Sequence, residues 1–212
     1  SKSSVGMLAK EGSNIENNTS SGTINLKAES GIGMLADGKD ASGNVSTATN
    51  NAKIVATSTG IKSLGMLAQN HGKAENTKTI EILAQQGVGI FISETGKGKN
   101  TSTGTITLEN KEAVGIFAKN NKAGSNATNA TATNDATGIL TLSGNKSVGM
   151  SGEKSTLTNT GTINIQGQES TGMFAKDSSE MTNNGTINLV DSASADKPNI
   201  GMFTEDKSTV IH

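Results

Sequence analysis

Acid–base, metal or nucleophilic chemistry needs convergent side chains, and the residues able to supply it are thinly spread in this chain. Its 19 acidic residues are scattered along 212 positions with only Glu205 and Asp206 adjacent, its 18 basic residues are all lysine, and cysteine is absent. Without cysteine there is neither a disulfide nor a thiolate metal site. The two histidines, His71 in a polar turn and His212 at the end, do not make the several convergent ligands a metal requires. Sugar-cleaving sites combine clustered carboxylates, a basic group and aromatic platforms. Here Trp and Tyr are missing and the four Phe all fall in one repeated motif. The expectation is a non-enzymatic protein with no cofactor or metal. A net charge of −1 and the lack of aromatic–basic interleaving argue against nucleic acid as a partner. Gly31-Ile32-Gly33 and Gly87-Val88-Gly89 lack the third glycine and the following helix of a dinucleotide site, so they read as repeat glycines. No apolar stretch is long enough to span a bilayer, the longest being Val88 to Ile92 broken by Gly89.

The elements that would position any surface residue are repeats. One motif recurs eight times, from Ser4-Val5-Gly6-Met7-Leu8-Ala9 to Asn199-Ile200-Gly201-Met202-Phe203-Thr204, with central glycines 27, 32, 24, 26, 34, 23 and 29 residues apart. A second, of the form Gly22-Thr23-Ile24-Asn25-Leu26, precedes each later copy of the first. A third places one apolar residue among Ser, Thr and Asn, as in Ser155-Thr156-Leu157-Thr158-Asn159, with Asn44-Val45-Ser46 as a relative. All three alternate apolar and polar with the period of a strand, and no helical face runs through a repeat.

Three short strands per repeat of 23 residues or more define an all-β, right-handed parallel β-helix of about eight rungs, a solenoid whose thin core suits a chain only 32% hydrophobic. The rungs begin near 4, 31, 63, 87, 113, 147, 170 and 199, and residues 1–212 read as a single β-helix segment of a longer protein. Ile24, Ile54, Ile80, Ile106, Leu140, Ile163 and Ile187 should stack inside, and Val5, Met7 and Ala9 should make a similar inward set. The glycine column fits a bend where a Cβ would clash. The column Leu8, Leu35, Leu67, Phe91, Phe117, Phe174 and Phe203 either turns inward at that bend or forms an outward apolar ladder. Asn50, Asn76, Asn159 and Asn183 share one column, with Ser20, Ser102 and Ala136 interrupting it; stacked amides and ordinary turn preference both account for it.

The recurring Ser-Val-Gly-Met-Phe-Ala-Lys pattern, seen at Ser170 to Lys176 and Ser4 to Lys10 and followed by Asn-x-Gly-Thr-Ile-x-Leu, resembles the passenger region of large type V secreted autotransporters, fusobacterial adhesins above all. The likeness spans essentially the whole chain and rests on structural motifs. It implies a cell-surface, extracellular β-helix anchored by an outer-membrane β-barrel outside this chain. It also implies attachment to a host or bacterial surface protein or glycan.

Two roles remain, a binding surface and a passive shaft displaying a distal tip. The longest excursions between motifs mark where contact would occur, since loops on a rigid scaffold commonly carry binding. They run from Asp37 to Asn50, with Asp37, Lys39, Asp40 and Asn44, and from Asn120 to Asp135, with Asn120, Lys122, Ser125, Asn126, Asn129 and Asp135. The second, small and polar, reads as an insertion whose removal from Lys122 to Thr133 would leave the melting transition almost unchanged. Both chain ends open within a repeat, so fraying or end-to-end self-association is expected of the isolated segment.

Overall fold

The computed structural model describes residues 4–18, 22–121, 130–190 and 197–212. The first three rungs are β1 (Val5–Lys10), β2 (Asn14–Asn17) and β3 (Thr23–Leu26), then β4 (Ile32–Asp37), β5 (Thr47–Asn50) and β6 (Lys53–Ala56), then β7 (Leu64–Gln69), β8 (Lys73–Asn76) and β9 (Thr79–Ile82). The next two are β10 (Val88–Ser93), β11 (Lys97–Asn100) and β12 (Thr105–Leu108), then β13 (Val114–Lys119), β14 (Ala130–Asn134) and β15 (Ile139–Leu142). The last are β16 (Val148–Glu153), β17 (Ser155–Asn159) and β18 (Thr162–Ile165), then β19 (Thr171–Lys176), β20 (Glu180–Asn183) and β21 (Thr186–Leu189), and finally β22 (Ile200–Thr204) and β23 (Thr209–Ile211).

Every third strand pairs in parallel, giving sheets of eight, eight and seven strands that wind as a right-handed β-helix. No residue is inserted within the paired register; all variation in rung length falls at the corners. At the corner before the first sheet, Ser30, Lys62, Gln86, Glu112, Lys146 and Glu169 each turn the chain with φ of 55–60°. Several of these donate their amide to a carbonyl one rung on, as Lys62 does to Gln85.

The core columns follow from alternation. Ile54, Ile80, Ile106, Leu140 and Ile163 stack fully buried on the third sheet, with Ile24 and Ile187 partly covered at its ends. On the first sheet Met34, Met66, Ile90, Ile116, Met150 and Met173 point inward, and the next inward site holds Ala36, Ala68, Ile92, Ala118, Gly152 and Ala175. The Val5 column departs from the expected inward set: Val5 and Ile200 are exposed, and Ile32, Leu64, Val88, Val114 and Val148 are half-exposed. The bend at the following glycine interrupts the two-residue alternation and turns this position out. A Cβ on Gly89 would sit 2.6 Å from the Gly115 carbonyl oxygen and 2.7 Å from Ile106 Cγ2, so the chain closes onto its own core there.

The same bend settles the Leu/Phe column as an outward ladder, in register from Leu8 to Phe203 with Ser151 as its one polar step. Phe91 stacks on Phe117 at 5.3 Å between ring centroids, and Phe174 on Phe203 at 5.7 Å.

The second sheet is built differently from what its motif implied. Its inward column reads Ile15, Ala48, Ala74, Gly98, Ala132, Leu157, Met181 and Val210. The strand of the second rung is Thr47–Asn50, so Asn44-Val45-Ser46 is not its third motif; Val45 instead bridges Lys39 in a small antiparallel hairpin. Volume across this wall is shared. Where the first sheet offers Ile92 the second offers Gly98, whose added Cβ would meet Ile92 Cγ1 at 2.5 Å; where the second offers Leu157 the first offers Gly152.

Each second-sheet strand from β2 to β20 ends in asparagine, and the column is unbroken: Asn17, Asn50, Asn76, Asn100, Asn134, Asn159, Asn183. All seven are buried. Each Nδ2 from Asn17 to Asn159 donates to the Oδ1 of the next rung's asparagine, six bonds at 2.8–2.9 Å. Its second hydrogen goes to nearby carbonyls, such as Gly104 O from Asn100 at 3.0 Å. The breaks expected at Ser102 and Ala136 do not exist, because Asn100 and Asn134 hold those rungs; Ser20 lies outside the described residues, and Asn17 holds its rung.

Candidate functional site

Residues 38–46 in the second rung, between β4 and β5, and residues 120–129 in the fifth, between β13 and β14, both connect the first sheet to the second; a third connection of like length, residues 190–199 between β21 and β22, joins the third sheet to the first. The first two are shorter than the motif spacing implied. Thr47–Asn50 and Ala130–Asn134 are strands whose Ala48, Ala130 and Ala132 are fully buried. Removing Lys122 to Thr133 would therefore excise most of β14 and is not a silent deletion. The intervening rungs turn the same corner briefly, with Asn70–Gly72 and Glu94–Gly96.

The second-rung hairpin is pinned by its own turn. The Asn44 amide donates to Asp40 Oδ1 at 2.8 Å and Asn44 Nδ2 to Asp40 Oδ2 at 2.7 Å. That side-chain hydrogen bond, aided by backbone amides, holds the Asp40 carboxyl below its ordinary value. Asp37 at the hairpin base accepts from Asn70 Nδ2 at 2.8 Å and lies 3.8 Å from Lys10 Nζ. Lys39 sits in the bridge to Val45. In the fifth rung Asn120 is buried and its amide donates to Glu153 O at 3.0 Å. Asp135 lies at the next corner, paired with Lys99 at 2.8 Å, apart from the other candidates. Lys122, Ser125, Asn126 and Asn129 fall outside the described residues.

Charges otherwise form short ladders between rungs. Glu153 takes Lys119 at 2.7 Å and Lys176 at 2.9 Å. Burial would raise the Glu153 carboxyl, but the hydrogen bonds and charges of these lysines outweigh it and hold it low. Lys53 meets Glu81 at 2.8 Å, and Glu169 meets Lys197 at 3.0 Å and Lys146 at 3.8 Å. One pair of lysines breaks this pattern. Lys73 and Lys97 stand in register on adjacent strands of the second sheet with no ion-pair partner among the described residues. The sequence held the signal in Lys73-Ala74-Glu75-Asn76 above Lys97-Gly98-Lys99-Asn100, but it becomes readable only once these segments are known to be paired strands. Among the described residues no group of three or more His, Cys, Asp or Glu could hold a metal ion.

No curated protein and no solved structure matches the chain. A family model does, the BigA third pectate lyase-like domain, over residues 85–212. The match supports an adhesin-like surface passenger β-helix and a cell-surface or extracellular location, while the words "pectate lyase-like" express a relationship of fold. Because that model covers more than half of the residues, and the parallel three-sheet solenoid is the architecture it describes, the chain belongs to the BigA third pectate lyase-like domain family.

Proposed function

We propose that the chain is a segment of the displayed passenger of a type V, autotransporter adhesin of the fusobacterial kind, anchored by an outer-membrane β-barrel. It acts without catalysis, holding corner loops against a host or bacterial surface protein or glycan. The observation that carries this reading is that two of the three long connections fall at one corner of a rod whose other first-to-second corners are short. The family match and the repeat resemblance support a surface passenger, and the described carboxylates of the ladders are engaged by lysines rather than left to do chemistry.

Adherence of labelled protein to bacterial and host cells tests it. In one variant residues 122–129 are removed; in a second, Gly38 to Ser46 is replaced by the three-residue corner Asn-His-Gly of the third rung. Both should melt like the parent, and their combination should lose at least fivefold in adherence. Undiminished adherence would favour the alternative, a passive shaft, for which the unbroken asparagine column is the supporting feature.

A further inference from the structure

We propose that the outer face of the second sheet, between the two excursions, carries an anion-binding groove for an acidic glycan, centred on Lys73 and Lys97. Cross-strand neighbours of like charge destabilise a sheet, and elsewhere on this rod the ion-paired lysines meet carboxylates across rungs. Here two lysines stand in register on adjacent strands, their backbones about 4.8 Å apart by rung spacing. Of the carboxylates on this face, Glu75 stands in the column of Lys99, which takes Asp135, and Glu180 stands three rungs beyond Lys97 in its own column.

The groove is walled by Val45 of the second-rung hairpin and lined by His71, Thr95 and Thr156. Its occupancy by a polar ligand has a second indication. Thr95 is 7% exposed, and its hydroxyl has no hydrogen-bond partner although it borders the groove. A buried hydroxyl without a partner is destabilising, and a polar ligand group reaching the floor of the groove would offer it one.

Spacing favours a glycan over a peptide. Side chains on one face of an extended peptide recur at about 6.6–6.8 Å, longer than the rung spacing of about 4.8 Å. An acidic group on a sugar can bridge both lysines while neighbouring sugar hydroxyls meet the threonines in register along the same column, Thr131 and Thr156. The carboxylate of a uronic acid and a sulfate ester share this chemistry. With a net charge of −1, the protein has no general attraction for polyanions, so binding must come from this local pair.

The inference is separate from the adhesive reading, because it is tested in solution without cells. Calorimetric titrations of the intact chain would use a heparin hexasaccharide, a hyaluronan hexasaccharide, a neutral maltohexaose and a hexaglutamate peptide. Binding of at least one acidic glycan, none of maltohexaose, and weakening with salt are expected. Preference for heparin over hyaluronan assigns the sulfate, and the reverse the carboxylate.

The double variant Lys73→Gln/Lys97→Gln should lose at least tenfold in affinity with an unchanged or raised melting temperature. Lys27→Gln/Lys62→Gln, the same charge change at exposed lysines of the third-to-first corner, away from the groove, should stay within twofold. No binding of either acidic glycan, equal loss in both double variants, or tighter binding of hexaglutamate would each overturn the proposal.

Discussion

The exchange of volume between Ile92 and Gly98 can be tested by a four-protein cycle. In Gly98→Ala the new methyl would lie 2.5 Å from Ile92 Cγ1, 2.6 Å from its Cδ1 and 2.9 Å from Ile90 Cγ2. Carbon atoms rest at about 3.5–4.0 Å, so the overlap is close to an ångström. Ile90 and Ile92 are both fully buried and have little room to yield, and overpacking of this kind costs about 1–3 kcal/mol. Ile92→Ala alone empties a fully buried site and should cost about 2–5 kcal/mol. The double variant recreates the Ala/Ala pairing already present as Ala36 with Ala48, Ala68 with Ala74 and Ala118 with Ala132. It loses three buried carbons, worth about 2.4 kcal/mol. It regains one methyl at about 0.8 kcal/mol and about 0.5–1 kcal/mol from replacing a strand glycine. The net cost is therefore about 1 kcal/mol, below either single change and at least about 2 kcal/mol less than their sum. Urea denaturation of the four proteins, followed by far-ultraviolet circular dichroism because the chain has neither Trp nor Tyr, measures it. Additivity within about 0.5 kcal/mol would show that the two walls do not share volume.

Asn100→Ala should cost about 3–5 kcal/mol in urea melts, since it strands Asn134 Oδ1 and Gly104 O inside the rod at about 1–3 kcal/mol for each buried group. Asn188→Ala, which breaks the same kind of amide contact to Asn164 on the exposed face, should cost under about 0.5 kcal/mol. Gly89→Ala should destabilise by about 1–3 kcal/mol, whereas Gly201→Ala, with only Leu189 Cδ1 at 3.7 Å before it, should be nearly silent in thermal melts. The Glu153 carboxyl is held below its ordinary 4.5, so the stability it lends is present above that pH and lost as pH falls through the lowered folded-state value. The stability gap between parent and Glu153→Gln should therefore be largest near neutral pH and shrink as the pH is lowered below 4.5. A gap independent of pH would remove the ion pairs as its cause.

The third-sheet columns were legible because β-branched residues alternate strictly there, as in Thr162-Ile163-Asn164-Ile165. The second sheet was hard to read because its inward residue is often Ala or Gly, the missing volume coming from the opposite wall. A Thr-Ala-Thr-Asn segment carries no hydrophobic signal of its own. The sequence pattern misplaces the asparagine column at three rungs for a related reason. Counting a fixed four residues back from Ile24, Ile106 and Leu140 reaches Ser20, Ser102 and Ala136, yet the corner between second and third sheets varies in length, and Asn17, Asn100 and Asn134 stand earlier. Motif spacing locates the candidate loops but overstates their length, because the buried Ala48, Ala130 and Ala132 carry no strand signal of their own. The lysine pair depends on register between segments 24 residues apart, which residue types alone do not reveal.

Because every irregularity of length is confined to corners, the rungs are mechanically alike but unequal in stored chain. Pulled from its two ends, such a rod yields by peeling, since the rungs are loaded in series and each is held mainly by its neighbours. Each rung released lengthens the tether by its own residue count, at most about 3.3–3.6 Å per residue. The glycine spacings of 27, 32, 24, 26, 34, 23 and 29 residues therefore become a sequence of extension steps. The longest rung pays out about 12 nm and the shortest about 8 nm, so the order of steps in a force trace would tell from which end the rod comes apart.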